Sequence, residues 1–409
     1  MPAIRGNNLP KVKRQNAESI KALLYRGGPL SRGEIAERLS LTPSTITNIV
    51  GELMGEGVVH ELPPEEAGEQ HLVGRKPVQV DFVSGSRLAL GISLGRMHTQ
   101  YCLTDLRGNI VYSSQAAPMA DDYDTMLAEL CTLVARLREI CTDSWPRLLG
   151  IGLVVPGIVD VHEGVILNSG TERVSWAHKP LAQALCEAVG LPVRIENNTR
   201  GRVCATTLFH PDIVRDSPTY AFCYVSWGIA CPLVLRTSSY SGEEIATGEI
   251  GHMILDQHGP SLPDCGEPGS LESLSSTRAI LARCRQLLVS GEPTLLRHIC
   301  SDPAALALDM VLEAQRRQDA PVCRILTEAI AYLGIALSNI LDFVKPHLLI
   351  ISGPIFRYPP NVEALHREIL AHAFSAQIEN LRFVQFDLGE YGEALGAAAV
   401  CVEKYFIRD

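Results

Sequence analysis

Ser44, Thr45, Thr47 and Asn48 place four short hydrogen-bonding side chains within five positions. Groups of this kind, presented near the N-terminus of a helix, donate to and accept from base edges and phosphates in a DNA groove. The elements that would present them can be read on either side. Ser31 and Glu34 have the S-x-x-E spacing of a capping box, and Ile35, Ala36 and Leu39 give the helix behind it one apolar face. Ser40 and Leu41 make a turn. Thr42 then caps a second helix with Pro43 at its first position, and Ile46, Ile49, Val50 and Leu53 repeat at the spacing of a buried stripe. The spacing predicts a helix-turn-helix over 31–54, with the four polar side chains facing outward.

Charge points the same way. Residues 1–50 carry eight Lys or Arg against three Glu, whereas the whole chain carries −10, so the positive charge gathers where phosphates would lie. Beyond the second helix, Val58 to Leu62 and Val78 to Val80 alternate like two strands of a wing. Arg75 and Lys76 stand at or near its tip, placed to reach phosphates or a narrow minor groove.

At 409 residues, with 46% hydrophobic and 20% charged side chains, the chain has the composition of a soluble protein of two or three domains. No continuous apolar run has the length of a membrane span and the N-terminus has no apolar signal region, so a cytoplasmic location without membrane contact is expected. The 12 cysteines sit in apolar segments without a C-x-x-C pair, as buried free thiols of a reducing compartment do.

From residue 85 the pattern becomes α/β and runs twice. Strands at Leu88–Leu94, Thr99–Leu106 and Asn109–Ser113 precede a helix near 123–141 and a buried strand at Leu148–Val155. Strands at Ala221–Ser226 and Ala230–Arg236 precede a helix near 320–343 and the strand Leu348–Ser352. Two such lobes would hold a ligand in the cleft at their strand ends and close on it.

Six segments, in order, carry a family resemblance. They are Val155-Pro156-Gly157-Ile158-Val159-Asp160, Leu191 to Asn198, Gly248-Glu249-Ile250-Gly251-His252, Cys265 to Glu272, Lys345 to Gly353, and Leu395-Gly396-Ala397-Ala398. The chain resembles the ROK family over nearly its whole length, in the branch where a winged helix precedes the lobes. The resemblance implies an α/β chain: an N-terminal winged helix-turn-helix at 1–84, then a two-lobed actin-like (ribonuclease-H-like) sugar-kinase fold. Lobe 1 would span 85–205 and lobe 2 206–409, with the last helix packing back on lobe 1.

By the same resemblance the kinase chemistry is degraded. Asn198 stands where the family's kinases place the Asp that deprotonates the sugar hydroxyl, and loss of a general base costs a factor of about 10² to 10⁴. The first phosphate loop reads Ser93-Leu94-Gly95-Arg96-Met97 without the metal-binding Asp. In the second, Ser226 to Pro232, Trp227 fills space and Pro232 removes an N–H donor. No catalytic residue is therefore expected. Asn197, Glu249, His252 and Glu272 match the positions that grip sugar hydroxyls, and Asn198 can still hydrogen-bond one. The family's structural zinc would find His252 and Cys265, with Pro263 and Ser270 in place of two further ligands, so no metal or other cofactor is expected.

These readings lead to a regulator that binds a pseudo-palindromic operator as a homodimer or homotetramer and responds to a sugar or sugar phosphate. A phosphotransferase-system protein as the signal, or an active sugar kinase with a DNA-binding arm, are the alternatives. The residues do not separate repression from activation.

Overall fold

The computed structural model describes residues 9–63, 77–168, 174–235, 238–239, 248–262, 265–374, 378 and 380–408. It divides into two units, Met1–Arg215 with Leu388–Asp409, and Asp216–Asp387.

The first unit opens with α1 (Leu9–Gly27), β1 (Leu30–Ser31), α2 (Arg32–Leu39), α3 (Pro43–Gly55), β2 (Val59–Glu61) and β3 (Gln79–Phe82). The capping box is closed: Glu34 N donates to Ser31 Oγ at 3.2 Å, and Ser31 N donates to Glu34 Oε2 at 2.8 Å. Ser40 takes a left-handed conformation at φ 52° and ends α2, while Thr42 caps α3 by accepting from Thr45 N at 3.3 Å. Ile46, Ile49, Val50 and Leu53 are buried, so the stripe is the core face of α3. The wing is a three-stranded sheet in the order β1-β3-β2 and not the two-stranded one expected, because Leu30 and Ser31 pair antiparallel with Val80 and Gln79. Two residues are too few to show a period-two pattern.

There follow β4 (Leu88–Leu94), β5 (Thr99–Asp105), β6 (Ile110–Ala116), α4 (Tyr123–Ile140), β7 (Leu148–Val155), β8 (Ile158–Asp160), β9 (Val165–Asn168), α5 (Leu181–Val189), β10 (Val193–Asn197), α6 (Asn198–Phe209) and α7 (Pro211–Val214). The sheet order is β10-β7-β4-β5-β6; β10, β7 and β4 run parallel, and β5 and β6 continue antiparallel. Every residue of β4 and β5 is buried, since both faces are covered. Leu88, Leu90 and Ile92 face α4 and α5, and Ala89 and Cys102 face the opposite core.

The second unit contains β11 (Thr219–Val225), β12 (Ile229–Ala230), β13 (Leu233–Leu235), β14 (Ser238–Ser239), α8 (Leu271–Ser275), α9 (Thr277–Ser290), α10 (Leu296–Ile299), α11 (Leu308–Arg316), α12 (Ala320–Val344), β15 (Leu348–Ser352), α13 (Pro359–His372) and β16 (Arg382–Gln385). Its sheet order is β14-β13-β11-β15-β16, with β12 also on β11. The strand expected over Ala230–Arg236 is broken at Cys231-Pro232. Pro232 has no N–H for the ladder and contributes only its carbonyl, which accepts from Phe222 N at 3.0 Å. By length and composition α12 could cross a membrane, but Val322, Leu326, Leu333 and Leu337 are buried in this unit's core.

The chain returns to the first unit as α14 (Gly392–Val402). It lies flat on the sheet because Gly91 and Gly152 leave room. A Cβ at Gly91 would stand 2.0 Å from Ala394 O, and one at Gly152 would stand 1.8 Å from Ala397 O. α6 crosses α14 at Gly201 and Gly396, where a Cβ on Gly396 would stand 2.7 Å from Gly201 C.

Candidate functional site

In the first unit, the surface of α3 presents Ser44, Thr47 and Asn48, with Thr45 half-buried. Three of these four hydroxyl or amide groups are partly used at home. Ser44 Oγ and Thr45 Oγ1 lie 3.0 and 2.8 Å from Thr42 Oγ1, and Thr47 Oγ1 donates to Pro43 O at 2.9 Å. Among the described residues, the Asn48 amide alone of the four has no such bond. Arg75 and Lys76 lie outside the described residues. The arm's positive charge is also partly engaged: Lys13 pairs with Glu52, Arg14 with Glu18, and Arg32 with Glu61. Lys21 donates to Phe406 O at 2.7 Å and lies over that ring. Lys11, Arg26 and Arg38 remain exposed.

Asn197 and Asn198 stand where β10 ends and α6 begins. Asn197 is the N-cap of α6, its Oδ1 accepting from Thr199 N at 2.8 Å and Arg200 N at 3.2 Å. Its Nδ2 donates to Gly157 O at 2.7 Å, which ties the cap to the Val155-Pro156-Gly157 turn. Gly157 has φ 103°, a conformation that favours glycine. The cap role thus accounts for Asn197 structurally, leaving one amide hydrogen for a ligand. Asn198 is half-buried, with Oδ1 accepting from Thr199 N at 2.9 Å. Beside them, burial raises the Glu196 carboxyl above its ordinary range, against the N–H of Asn197 and the charges of Arg200 and Arg194 that lower it.

Glu249, His252 and Glu272 belong to the second unit. Glu249 begins the single 3₁₀ turn Ile250–His252, and His252 is exposed at its end. Gly251 within that turn packs against the first turn of α8: a Cβ there would lie 3.3 Å from Glu272 Oε2 and 2.6 Å from Ile229 O. A Cβ at Gly228, in the second loop, would lie 3.5 Å from Glu272 Oε1. Glu272 is therefore set against both the Ile250–His252 turn and the 226–232 segment. It is held by Arg278, whose Nη2 donates to Glu272 Oε1 at 2.7 Å with both side chains about 15% exposed. The Arg278 guanidinium lies 6.0 Å from the Trp227 ring centroid. A carboxylate anchored in this way offers its remaining lone pairs in a fixed direction, which hydroxyl recognition requires. None of the five polar residues lines the 250 Å³ cavity formed by Leu341, Lys345, His347, Ile378 and Leu381.

The segment 93–97, which matches the family's first phosphate loop, is tied to α14. Ser93 is buried and donates to Glu393 Oε2 at 2.8 Å, and Arg202 stands 3.6 Å from Glu393 Oε1. The Glu393 carboxylate is balanced by the Arg202 guanidinium, and Ser93, which replaces the family's metal-binding Asp, offers no charge to a metal. Of the family's zinc positions, Pro263 lies outside the described residues. Ser270, in a ligand's place, caps α8 by accepting from Ser273 N at 3.2 Å, and Cys265 is buried beside Leu262 and Ala279. Among the described residues no three of His, Cys, Asp and Glu gather as a metal site.

Sequence reasoning missed Arg278 and Glu393. Arg278 gave no signal, since an Arg at the start of a helix is ordinary. Glu393 did give one, as the only charge in the apolar run of α14.

Known proteins share this layout. A xylose repressor of Bacillus subtilis (strain 168) is 25% identical over 395 residues, 96% of this chain and 96% of its own. The crystal structure of a ROK family transcriptional regulator, a homolog of the E. coli MLC protein, matches with a TM-score of 0.80 at 24% identity, over 97% of this chain and 98% of its own. A ROK family glucokinase from Streptomyces griseus, in complex with glucose and AMPPNP, matches with a TM-score of 0.65 at 19% identity, over 76% of this chain and 98% of its own. These two likenesses, both under 25% identity, are of fold: along nearly the whole chain with the regulator, and along about three quarters of it with the kinase. The sequence profile of the ROK family matches residues 89–404, well over half of the chain. The chain belongs to the ROK family.

Proposed function

We propose that the chain is a cytoplasmic, sugar-responsive transcriptional repressor that binds a sugar or sugar phosphate without phosphorylating it. Operator DNA is read through Ser44, Thr45, Thr47 and Asn48, with Arg75 and Lys76 on the backbone. The effector is held by Asn197, Asn198, Glu249, His252 and Glu272. The likeness to the xylose repressor along 96% of the chain supports the regulatory role. The observation that supports the non-catalytic reading is the Ser93–Glu393 bond: the hydroxyl standing in place of the family's metal-binding Asp is committed to a side chain of α14.

A homodimer would match a two-fold operator with half-sites about one helical turn, or a multiple of it, apart. The effector must fit the DNA-incompetent state better, by about 1 to 3 kcal/mol, since equal affinity for both states shifts nothing. Glu249→Ala tests the assignment: operator affinity should stay within about twofold of wild type, while the change produced by sugar is lost. Loss of operator binding with sugar affinity intact would overturn the site. ATP consumption at an ordinary enzymatic pace with D-glucose or D-xylose, in a coupled ADP-release assay, would overturn the non-catalytic reading.

A further inference from the structure

We propose that the turn between β5 and β6, residues 105–109, is the joint through which effector occupancy at the start of α6 reaches the DNA-reading arm, with Arg107 as a positioning residue. The proposal rests on the sugar-responsive reading above.

The turn is stiff. Asp105 Oδ1 accepts from Arg107 N and Asn109 N, each at 2.9 Å, and Oδ2 accepts from Asn109 Nδ2 at 2.9 Å. One side of it rests on α6. Gly108, at φ 83°, lies so close to Phe209 that a Cβ there would stand 2.4 Å from that ring. Phe209 is the last residue of α6 and Asn197 is its N-cap. Twelve residues make a rod of about 18 Å, so a shift at the cap moves the ring at the other end.

The other side of the turn carries the arm. Tyr25 of α1 is buried, and its hydroxyl donates to Leu106 O at 2.6 Å. The Arg107 guanidinium lies 4.9 Å from the Phe82 centroid and 5.5 Å from that of Tyr25, and it is ion-paired with Asp81 of β3. The Tyr25 and Phe82 rings meet at 4.7 Å, tilted by 39°, and Phe406, beyond α14, closes edge-on to Phe82 at 5.4 Å. The winged helix is thus seated on the β5–β6 turn through a shared core. Packed contacts of this kind switch between discrete arrangements and do not stretch, which suits them to relay a two-state signal.

The test measures the ratio of operator dissociation constants with and without sugar, using D-xylose, D-glucose and their phosphates as probes, in wild type, Arg107→Ala, Arg107→Lys and Tyr25→Phe. Sugar affinity is followed separately by thermal shift. For Arg107→Ala the wild-type ratio, about 5- to 150-fold for a typical coupling, should fall below about twofold while the thermal shift persists. Arg107→Lys should recover only part of it, because an ammonium keeps the charge but not the planar stack. Tyr25→Phe, which removes only the bond to Leu106 O, should lower the ratio and decides the matter if Arg107→Ala does not fold. An unchanged ratio in the folded variants overturns this proposal alone. Absence of any sugar effect in wild type overturns the sugar reading and this proposal with it.

Discussion

Among the four polar side chains of α3 proposed to face DNA, hydrogen-bond commitments separate those free to recognise a base from those that finish a helix. Thr47 and Thr45 bond to Pro43 O and Thr42 Oγ1, so part of their capacity is spent locally. The exposed Asn48 amide has no side-chain hydrogen bond among the described residues, which suits the proposed contact with a base edge. Asn48→Ala should therefore cost about 1 to 3 kcal/mol of operator affinity and relax preference at one base pair, with an unchanged melting temperature. Fluorescence anisotropy on an operator selected from random duplexes checks this; an affinity within twofold of wild type on every duplex would count against a reading role. Residue identity alone was ambiguous at Asn197, where a ligand contact and a helix cap call for the same amide. The bonds to Thr199, Arg200 and Gly157 establish the cap.

Elements add constraints that single residues lack. The capping box of α2 holds the Glu34 carboxyl below its ordinary range, chiefly through the N–H of Ser31, with the Ser31 hydroxyl and Arg38 helping. A carboxylate with a depressed folded-state pKa stabilises the fold above its unfolded pKa of about 4.3, and that contribution is lost as pH falls through the lower folded value. Denaturant midpoints for wild type and Glu34→Gln should therefore converge between pH 7 and pH 3, because Gln keeps the capping geometry but does not titrate. A constant gap would show that Glu34 is not held this way. Where α14 meets the sheet, Gly152→Ala puts a methyl group within 1.8 Å of Ala397 O, so helix or strand must move. The expected cost is about 1 to 3 kcal/mol or more, read as a lower urea midpoint at unchanged slope.

For the whole molecule, the surplus of positive charge in residues 1–50 is smaller in effect than its count, since Lys13, Arg14 and Arg32 are engaged by carboxylates of the arm. The expected salt slope of operator binding is correspondingly shallow, set by the exposed cations at about 0.9 per phosphate neutralised. Titrations across salt concentrations measure it, and a slope that steepens after Glu52→Gln would show Lys13 released to the backbone. Family resemblance alone singled out Asn197, Asn198, Glu249, His252 and Glu272; the sequence by itself determined the caps, the buried stripe of α3 and most strands of both sheets. These follow from neighbours a turn or a strand apart, where periodicity and capping chemistry act. Only the tertiary structure decided that Ser93 meets Glu393, 300 residues away, that Arg278 holds Glu272, and that the winged helix rests on Arg107. Such pairs leave no periodic trace in the chain. Ser93 meets Glu393 where glycines such as Gly91 and Gly152 let α14 approach the sheet, and Arg278 reaches Glu272, six residues back, across the junction of α8 and α9.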